Sequence, residues 1–544
     1  MLGAELVVQS LKRRGVRTIF SLSGNQIMPI YDACIDAQIR IVHVRHEAAA
    51  VFMADAWAQV TGEIGVALLT AGPGVSNGIG PLFTARQSES PVLLLSGDSA
   101  LNEDGLGAFQ ELDQVTMTRP LTKSSTRVLA ADALVPAVDE AINTALAPRQ
   151  GPVHLVLPFD LLIADSGISV LPAMAAADAS PTLADSALGD ITTLLSTARR
   201  PLMLVGPAGC RQHRQGALQK CAQALQVPAI RMESPRGLRD PSLGAIAARI
   251  AEADLILLLG KQLDFTLGFG RSAFAADAKF VVIDPDIDAL DRAQRALGAR
   301  LNLRCQVSVE NGLTALAQRA TAAPTDRANW TARVQTSRAD RSLPAAAPSD
   351  KISSPALCQA VQALIDHADN VANTILVCDG GEFGQWAQAH CHAPMRLING
   401  MSGAIGGGIC FAIAAKIARP EAQVVLLMGD GTAGFHFTEF DTAVREGAAF
   451  TAVIGNDQRW NAEHQIQLRS YGAHRLIACD LSETARYELA AQALGGFGAA
   501  VEHMNQLGPA LRAAQTCGLP ACVNVQIDGQ PAPNFNGPAT PATH

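Results

Sequence analysis

The chain has 544 residues, more than one hydrophobic core supports, which predicts about three domains. Hydrophobic residues make up 48% and charged residues 17%, with 46 glycines, a mix that excludes global disorder and suits a large α/β enzyme. The formal net charge is -8 and no basic run occurs, so nucleic acid is not an expected partner.

In chain order, MLGAELVVQSLKRRGV predicts an amphipathic helix rather than a signal peptide, since it lacks a continuous apolar core. Short apolar runs then alternate with amphipathic segments. RTIFSL, IRIVHV, IGVALLT, PVLLLSG and PVHLVLP form a first set of strands, PLMLVG, ADLILLLG and KFVVIDP a second, and NTILVCDG, AQVVLLMGDG, FTAVIGND and ACVNVQI a third. Runs of this kind, followed by Gly, Asp, Ser or Pro and then helical spacing, predict buried parallel strands with crossover helices. Stretches 166–185 and 321–354, rich in Ala, Pro, Ser and Asp, read as linkers. The expected architecture is three doubly wound parallel-sheet α/β domains, at 1–165, 186–320 and 355–528, with GQPAPNFNGPATPATH as a mobile tail. The eleven cysteines are scattered (Cys34, Cys210, Cys221, Cys305 and onwards) without a C-x-x-C pair, which suits neither disulfide staples nor a zinc site. No charge-free apolar stretch reaches membrane-spanning length, so a soluble, cytoplasmic chain without a membrane partner is expected.

Chemistry concentrates at strand ends. Asp430 ends the VVLLM run, TEFDTAVREG has helical spacing with a stop at Gly447, and the next run, FTAVI, ends at Gly455-Asn456-Asp457. A right-handed crossover puts Asp430 and Asp457 side by side on one edge of the sheet. Two oxygen donors beside glycine amides suit Mg²⁺ clamped onto a diphosphate, with Gly431 and Thr432 offering N–H groups and a hydroxyl. Taken alone, a GDG is also an ordinary tight turn, and Asp457 a helix cap. Glu47, in RIVHVRHEAAAVFMADAWA, stands where a strand gives way to an apolar helix. There it either needs a polar partner or is a first-turn residue favoured by the helix dipole.

Gly429-Asp430-Gly431 followed by Asn456-Asp457, on strand–helix–strand, resembles the metal motif of the thiamine diphosphate enzymes, which has two asparagines where this chain has Asn456 and Asp457. Aspartate remains an oxygen donor but adds a negative charge beside the diphosphate. The resemblance implies a third metal ligand, the Arg459 backbone carbonyl, and cofactor contacts at Gly429, Gly431 and Thr432. R-H-E-x-A at Glu47, followed by TAGPG at 70–74, resembles the pyrimidine-binding domain of the same superfamily. It implies that Glu47 stabilises the imino tautomer of the cofactor, so that the cofactor's own amino group becomes the base, with Gly74 at the cofactor. FSLSGNQIMPIYDA (20–33) and GAFQELDQVTMTRPLTK (107–123) resemble acetolactate synthases and, about as well, benzaldehyde lyase. They imply an active-site Gln110 and a substrate pocket at Asn25 and Gln26. In NGMSGAIGGGICFAIAAKIA (399–418), the resemblance puts Ile405 under the bend of the cofactor and the Gly403 carbonyl against its amino group. In DGGEFG (379–384), Gly380 and Gly381 complete the diphosphate cradle.

The resemblance further implies small-molecule 2-oxo acid or 2-hydroxy ketone substrates, and a homodimer at least, commonly a homotetramer, in which Glu47 serves cofactor held by another subunit. Phe109-Gln110-Glu111 stands where pyruvate decarboxylases carry paired histidines for proton handling, which argues against simple protonating decarboxylation. The loop NDQRWNAEHQIQLRSYG departs from the acetolactate synthase pattern; it puts Trp460 and Glu463 near the substrate, or on a loop and a helix surface. Acetolactate synthase-like carboligation, aldehyde lyase and 2-hydroxyacyl-CoA lyase activities stay open. A non-catalytic thiamine diphosphate-binding relative would lack the activating glutamate, which is present here. Without a G-x-G-x-x-G, a cofactor-free central domain is favoured over one holding FAD.

Overall fold

The computed structural model describes residues 1–174, 176, 180–319, 324, 326–343, 349–367, 371–398 and 402–536, so parts of both expected linkers and the end of the tail lie outside the described residues. The first sheet contains β1 (Thr18–Ser21), β2 (Arg40–His43), β3 (Gly65–Leu69), β4 (Val92–Asp98), β5 (Ser125–Arg127) and β6 (Val153–Pro158), in the order β2-β1-β3-β4-β6-β5. The second contains β7 (Pro201–Val205), β8 (Ala229–Arg231), β9 (Leu255–Leu259), β10 (Lys279–Ile283) and β11 (Leu301–Cys305), in the order β11-β10-β9-β7-β8. The third contains β12 (Thr374–Cys378), β13 (Met395–Ile398), β14 (Gln423–Gly429), β15 (Thr451–Asn456), β16 (Phe497–Val501) and β17 (Ala521–Gln526), in the order β13-β12-β14-β15-β17-β16. Every pairing between these strands is parallel. The protein is therefore built from three parallel-sheet α/β domains, and the first and third sheets share one strand order.

Interior strands such as β4 (VLLLSGD), β9 (LILLL) and β15 (TAVIGN) are buried along their whole length, because crossover helices cover both faces of a parallel sheet. Two compact units result: Met1–Asp178 with Lys351–Gly381 and Ala393–Gly529, and Ala179–Asp350 with Glu382–His392 and Gln530–His544.

In the first unit, the outer two sheets share a core that includes Phe20, Val51, Leu94, Leu426 and Ile454. Its centre is the contact of helix Glu47–Thr61 with helix Gly408–Ala418, where the Phe52 and Phe411 rings meet edge-on at 6.1 Å. At Gly407 a Cβ would stand 3.0 Å from the Phe52 ring, so the small residue permits this approach. In the second unit, the buried Lys261 ammonium donates to Thr266 Oγ1 at 2.6 Å and pairs with Asp264 at 3.4 Å, which satisfies its charge. The part of the C-terminal stretch described within this unit is not free, against the expectation of a mobile tail. Ala532 N–H donates to Glu382 at 2.7 Å, Arg341 lies over the Phe535 ring at 5.3 Å, and Asn536 Oδ1 accepts from Ala247 N–H at 3.0 Å. Among the described residues no helix is long and apolar enough to cross a membrane.

His154 on β6 is fully buried, with Ser96 Oγ and Thr118 Oγ1 each 2.8 Å from its ring nitrogens, and burial pushes its pKa down to about 3. The native ring stays neutral while the unfolded ring takes a proton below its ordinary pKa. Its contribution to stability is therefore present above about pH 6.5 and is lost as the pH falls towards 3. Urea unfolding midpoints should fall between pH 6.5 and pH 4, and His154→Gln should fall less steeply over that window than the unaltered chain.

Candidate active site

β14 and β15 are adjacent and in register, with Gly429 opposite Gly455. Asp430 therefore leaves β14 at the edge where Asn456-Asp457 leaves β15, as the crossover argument required. Both carboxylates are buried, at 3% and 8% exposure. Burial lifts the Asp430 pKa to about 6, and backbone N–H groups, among them Gly431 and Arg459, hold part of that rise back. Burial together with the nearby Asp430 charge lifts Asp457 to about 7. Two buried acids raising each other's protonation energy form a site that a dication would relieve. Among the described residues no group of three or more His, Cys, Asp or Glu side chains could hold a metal. An ion at this edge would draw its remaining ligands from carbonyls, water or a bound anion.

The loop after Asp457 is fixed locally. Gln458 takes a left-handed φ of 62° and its N–H donates to Asn456 Oδ1 at 3.1 Å. Trp460 N–H donates to the Cys479 carbonyl at 2.7 Å and Leu481 N–H to the Gln458 carbonyl at 2.8 Å; neither bond uses the Arg459 carbonyl. The Trp460 ring lies over Gly431, where a Cβ would approach it to 2.8 Å, and it meets Phe435 edge-on at 6.2 Å. Thr432 is buried, its hydroxyl donating to the Gly429 carbonyl at 2.9 Å. Gly381, at φ +83°, would put a Cβ 3.8 Å from Thr432. Added Cβ atoms at Gly429 and Gly403 would meet nothing within 4 Å, so open space stands over both backbones. Asp430, Asp457, Arg459, Gly431, Thr432, Trp460, Gly380 and Gly381 thus gather at the carboxyl ends of β12, β14 and β15. Glu463 is exposed in the first turn of helix Asn461–Tyr471.

Sequence reasoning missed residues that shape this edge. Asp379, at the end of β12, is fully buried; its carboxylate accepts from Gly380 N–H at 2.6 Å, Gly406 N–H at 3.0 Å and Gly408 N–H at 3.0 Å. It pins the turn that carries half-buried Ile405 and exposed Gly403, while Asn399, Gly400 and Met401 lie outside the described residues. The signal was available, because LVCD repeats the apolar-run-then-aspartate pattern of LLMGD. Tyr487, whose hydroxyl donates to the Asp430 carbonyl at 3.1 Å, comes from a distant helix and carries no local signal.

The N-terminal domain presents its residues at the carboxyl ends of its own strands. Glu47 opens helix Glu47–Thr61, capped by His46, whose Nδ1 accepts from Ala48 N–H at 3.1 Å. Glu47 is half-buried and accepts from Asn77 Nδ2 at 3.0 Å, a polar partner of the kind its place before an apolar helix calls for. Asn77 ends the short helix Pro73–Asn77 that begins within TAGPG, so this turn and Glu47 are joined. Gly74 is buried, and a Cβ there would stand 2.8 Å from Thr70. Gln26 is buried and accepts from Thr70 Oγ1 at 2.5 Å, while Asn25 is exposed. Gln110 takes a left-handed φ of 63° and packs against Gly72, whose added Cβ would lie 3.0 Å from its Cβ.

The chemistry of this donor set fits a magnesium diphosphate. The paired buried acids would be neutralised by a cation, the Arg459 carbonyl follows Asp457 by two residues, and glycines leave open space at strand ends. Comparison with known proteins supports thiamine diphosphate as the cofactor. The chain matches the thiamine pyrophosphate enzyme N-terminal TPP binding domain over residues 1–117, the central domain over 188–302 and the C-terminal TPP binding domain over 379–525. It is 34% identical to a probable acetolactate synthase of Mycobacterium bovis, covering 97% of this chain and 96% of that protein. It is also 31% identical to 2-hydroxyacyl-CoA lyase 2 of Homo sapiens, covering 96% and 90%. The chain belongs to the thiamine pyrophosphate enzymes, as an acetolactate synthase-like member of that family.

Proposed function

We propose that the protein uses Mg²⁺ and thiamine diphosphate to join or cleave carbon–carbon bonds beside the carbonyl of 2-oxo acids or 2-hydroxy ketones, as a carboligase of the acetolactate synthase type. The observation that carries this reading is the pair of buried, mutually repelling acids, Asp430 and Asp457, on adjacent strand ends beside glycine turns. When bound, the cofactor supplies the nucleophilic carbon and the electron sink that such bonds need.

The residues of the chain do the rest. Asp430, Asp457 and the Arg459 carbonyl hold the metal, and Gly429, Gly431, Thr432, Gly380 and Gly381 receive the diphosphate. Ile405 would support the bound cofactor, and the Gly403 carbonyl would accept from its amino group. Glu47 would hydrogen-bond the pyrimidine ring and so make the cofactor's amino group basic, and Gly74 would line the cofactor. Gln110, Asn25, Gln26, Trp460 and Glu463 face the substrate. In this reading the active unit is a homodimer, assembled further into a homotetramer in the cytoplasm. A second subunit closes the half-open surroundings of Glu47, and the exposed Leu106, Phe109 and Leu112 beside Gln110 are suited to that contact.

Proton NMR of products from purified protein with thiamine diphosphate, Mg²⁺ and pyruvate tests the proposal. Two pyruvates should give one acetolactate and one CO₂. The relatives named 2-hydroxyacyl-CoA lyase 2 support a second reading, cleavage of a 2-hydroxyacyl-CoA. Unconsumed pyruvate together with turnover of that thioester would establish it instead.

A further inference from the structure

Among the buried acids that the proposed chemistry leaves unused, one borders the Glu47 segment. Glu439, fully buried in helix Glu439–Arg445 of the C-terminal domain, is held by groups other than those of the metal edge. Its Oε1 accepts from Arg45 N–H at 2.9 Å and His46 N–H at 3.1 Å, and Thr442 donates to its Oε2 at 2.6 Å. Arg45 and His46 are the two residues before Glu47, and His46 is the cap of the helix that Glu47 opens. The same helix grips this segment twice more. Arg445 donates to the His43 carbonyl at 2.6 Å, and Glu446, just beyond the helix, accepts from Arg40 Nε at 3.1 Å.

Residues 439, 442 and 445 recur every three positions, so they lie along one helical face, and that face meets the exit of β2. Two adjacent backbone N–H groups converging on one buried carboxylate oxygen fix both position and direction of the chain there. Burial raises the Glu439 pKa, and the three hydrogen bonds oppose that rise. The neighbouring His436 Nδ1–H donates to the Gly406 carbonyl at 2.8 Å, and its ring meets that of His46 edge-on at 6.1 Å. The helix therefore holds the Glu47 segment against the same domain that carries the Asp379-pinned turn.

We infer that Glu439 is a positioning residue: through the Arg45 and His46 amides it sets the place of the Glu47 carboxylate, and so the rate at which the cofactor is activated. The inference rests on the reading of Glu47 given above. Its reach follows from geometry, since a displacement of about 1 Å in an acid–base group costs on the order of 100-fold in rate.

The test uses the full chain loaded with thiamine diphosphate and Mg²⁺. It measures deuterium exchange at C2 of the bound cofactor by acid quench and NMR, cofactor affinity by titration, and amide exchange across residues 43–48. Glu439→Met removes the acceptor; it should slow C2 exchange by about tenfold or more and release the Arg45 and His46 amides, with cofactor affinity within about threefold. Glu439→Gln keeps a neutral acceptor and should recover most of the rate. Wild-type exchange in Glu439→Met, or a loss that lies entirely in affinity, overturns the inference. Glu47→Gln, measured in parallel, separates the two claims. If it slows exchange and Glu439→Met does not, positioning alone fails; if Glu47→Gln exchanges at the wild-type rate, both fail. Should Glu439→Met not fold, Arg445→Met decides: slower C2 exchange at unchanged affinity supports the clamp, and an unchanged rate overturns it.

Discussion

Asp430→Ala should bind Mg²⁺ and thiamine diphosphate at least about 100-fold more weakly, the upper end of what disturbing a metal site's supporting groups costs. The reason lies in the small number of protein ligands. Among the described residues two carboxylates meet at the β14–β15 edge, and magnesium relies on its one or two carboxylates to localise it on a diphosphate. The change should not harm the empty protein. Asp430 raises the pKa of Asp457, so its removal relieves a repulsion in the folded state. Calorimetry should show an apo chain at least as stable as before, and titration should show that Mg²⁺ with cofactor no longer raises its melting temperature. Retained affinity would put the metal elsewhere.

Glu47→Gln should behave in the opposite way. Cofactor and metal affinity should stay within a few-fold, while turnover slows by about 100-fold or more, the usual scale for losing an acid–base group. The amide has the shape of the acid and still accepts from Asn77, so the helix start should be undisturbed. What it loses is the proton shared with the pyrimidine ring. Steady-state rates at saturating cofactor and Mg²⁺ check this, and equal turnover would mean that the activating acid is another residue.

The interior of each sheet was legible in the sequence. Strands buried on both faces must be apolar throughout, so β1, β3, β4, β6, β7, β9, β10, β12, β14, β15 and β17 stand out as runs, and what ends them, Asp430 or Asn456-Asp457, marks the strand ends that build the site. The five strands the sequence analysis missed, β5, β8, β11, β13 and β16, all lie at sheet edges. An edge strand is covered less completely, so its pattern is mixed: LNLRC in β11 alternates partly buried with exposed residues, and FGAAV in β16 is buried at one position alone. Nothing local distinguishes such a segment from a loop; its neighbour in the sheet makes it a strand.

The same division holds at the candidate site. Sequence determined the residue types and their order along the chain: an acid and a glycine after one run, an asparagine and an acid after the next, a glutamate opening an apolar helix. Tertiary structure alone decided which distant groups hold them. Asn77 meets Glu47, Tyr487 meets the Asp430 carbonyl, Asp379 gathers three amides, and Glu439 reaches the residues before Glu47 across hundreds of positions. Periodicity reports which face of an element is buried, because burial depends on local apolar content. It does not report what that face is buried against, and these hydrogen bonds exist only once the strands and helices have packed.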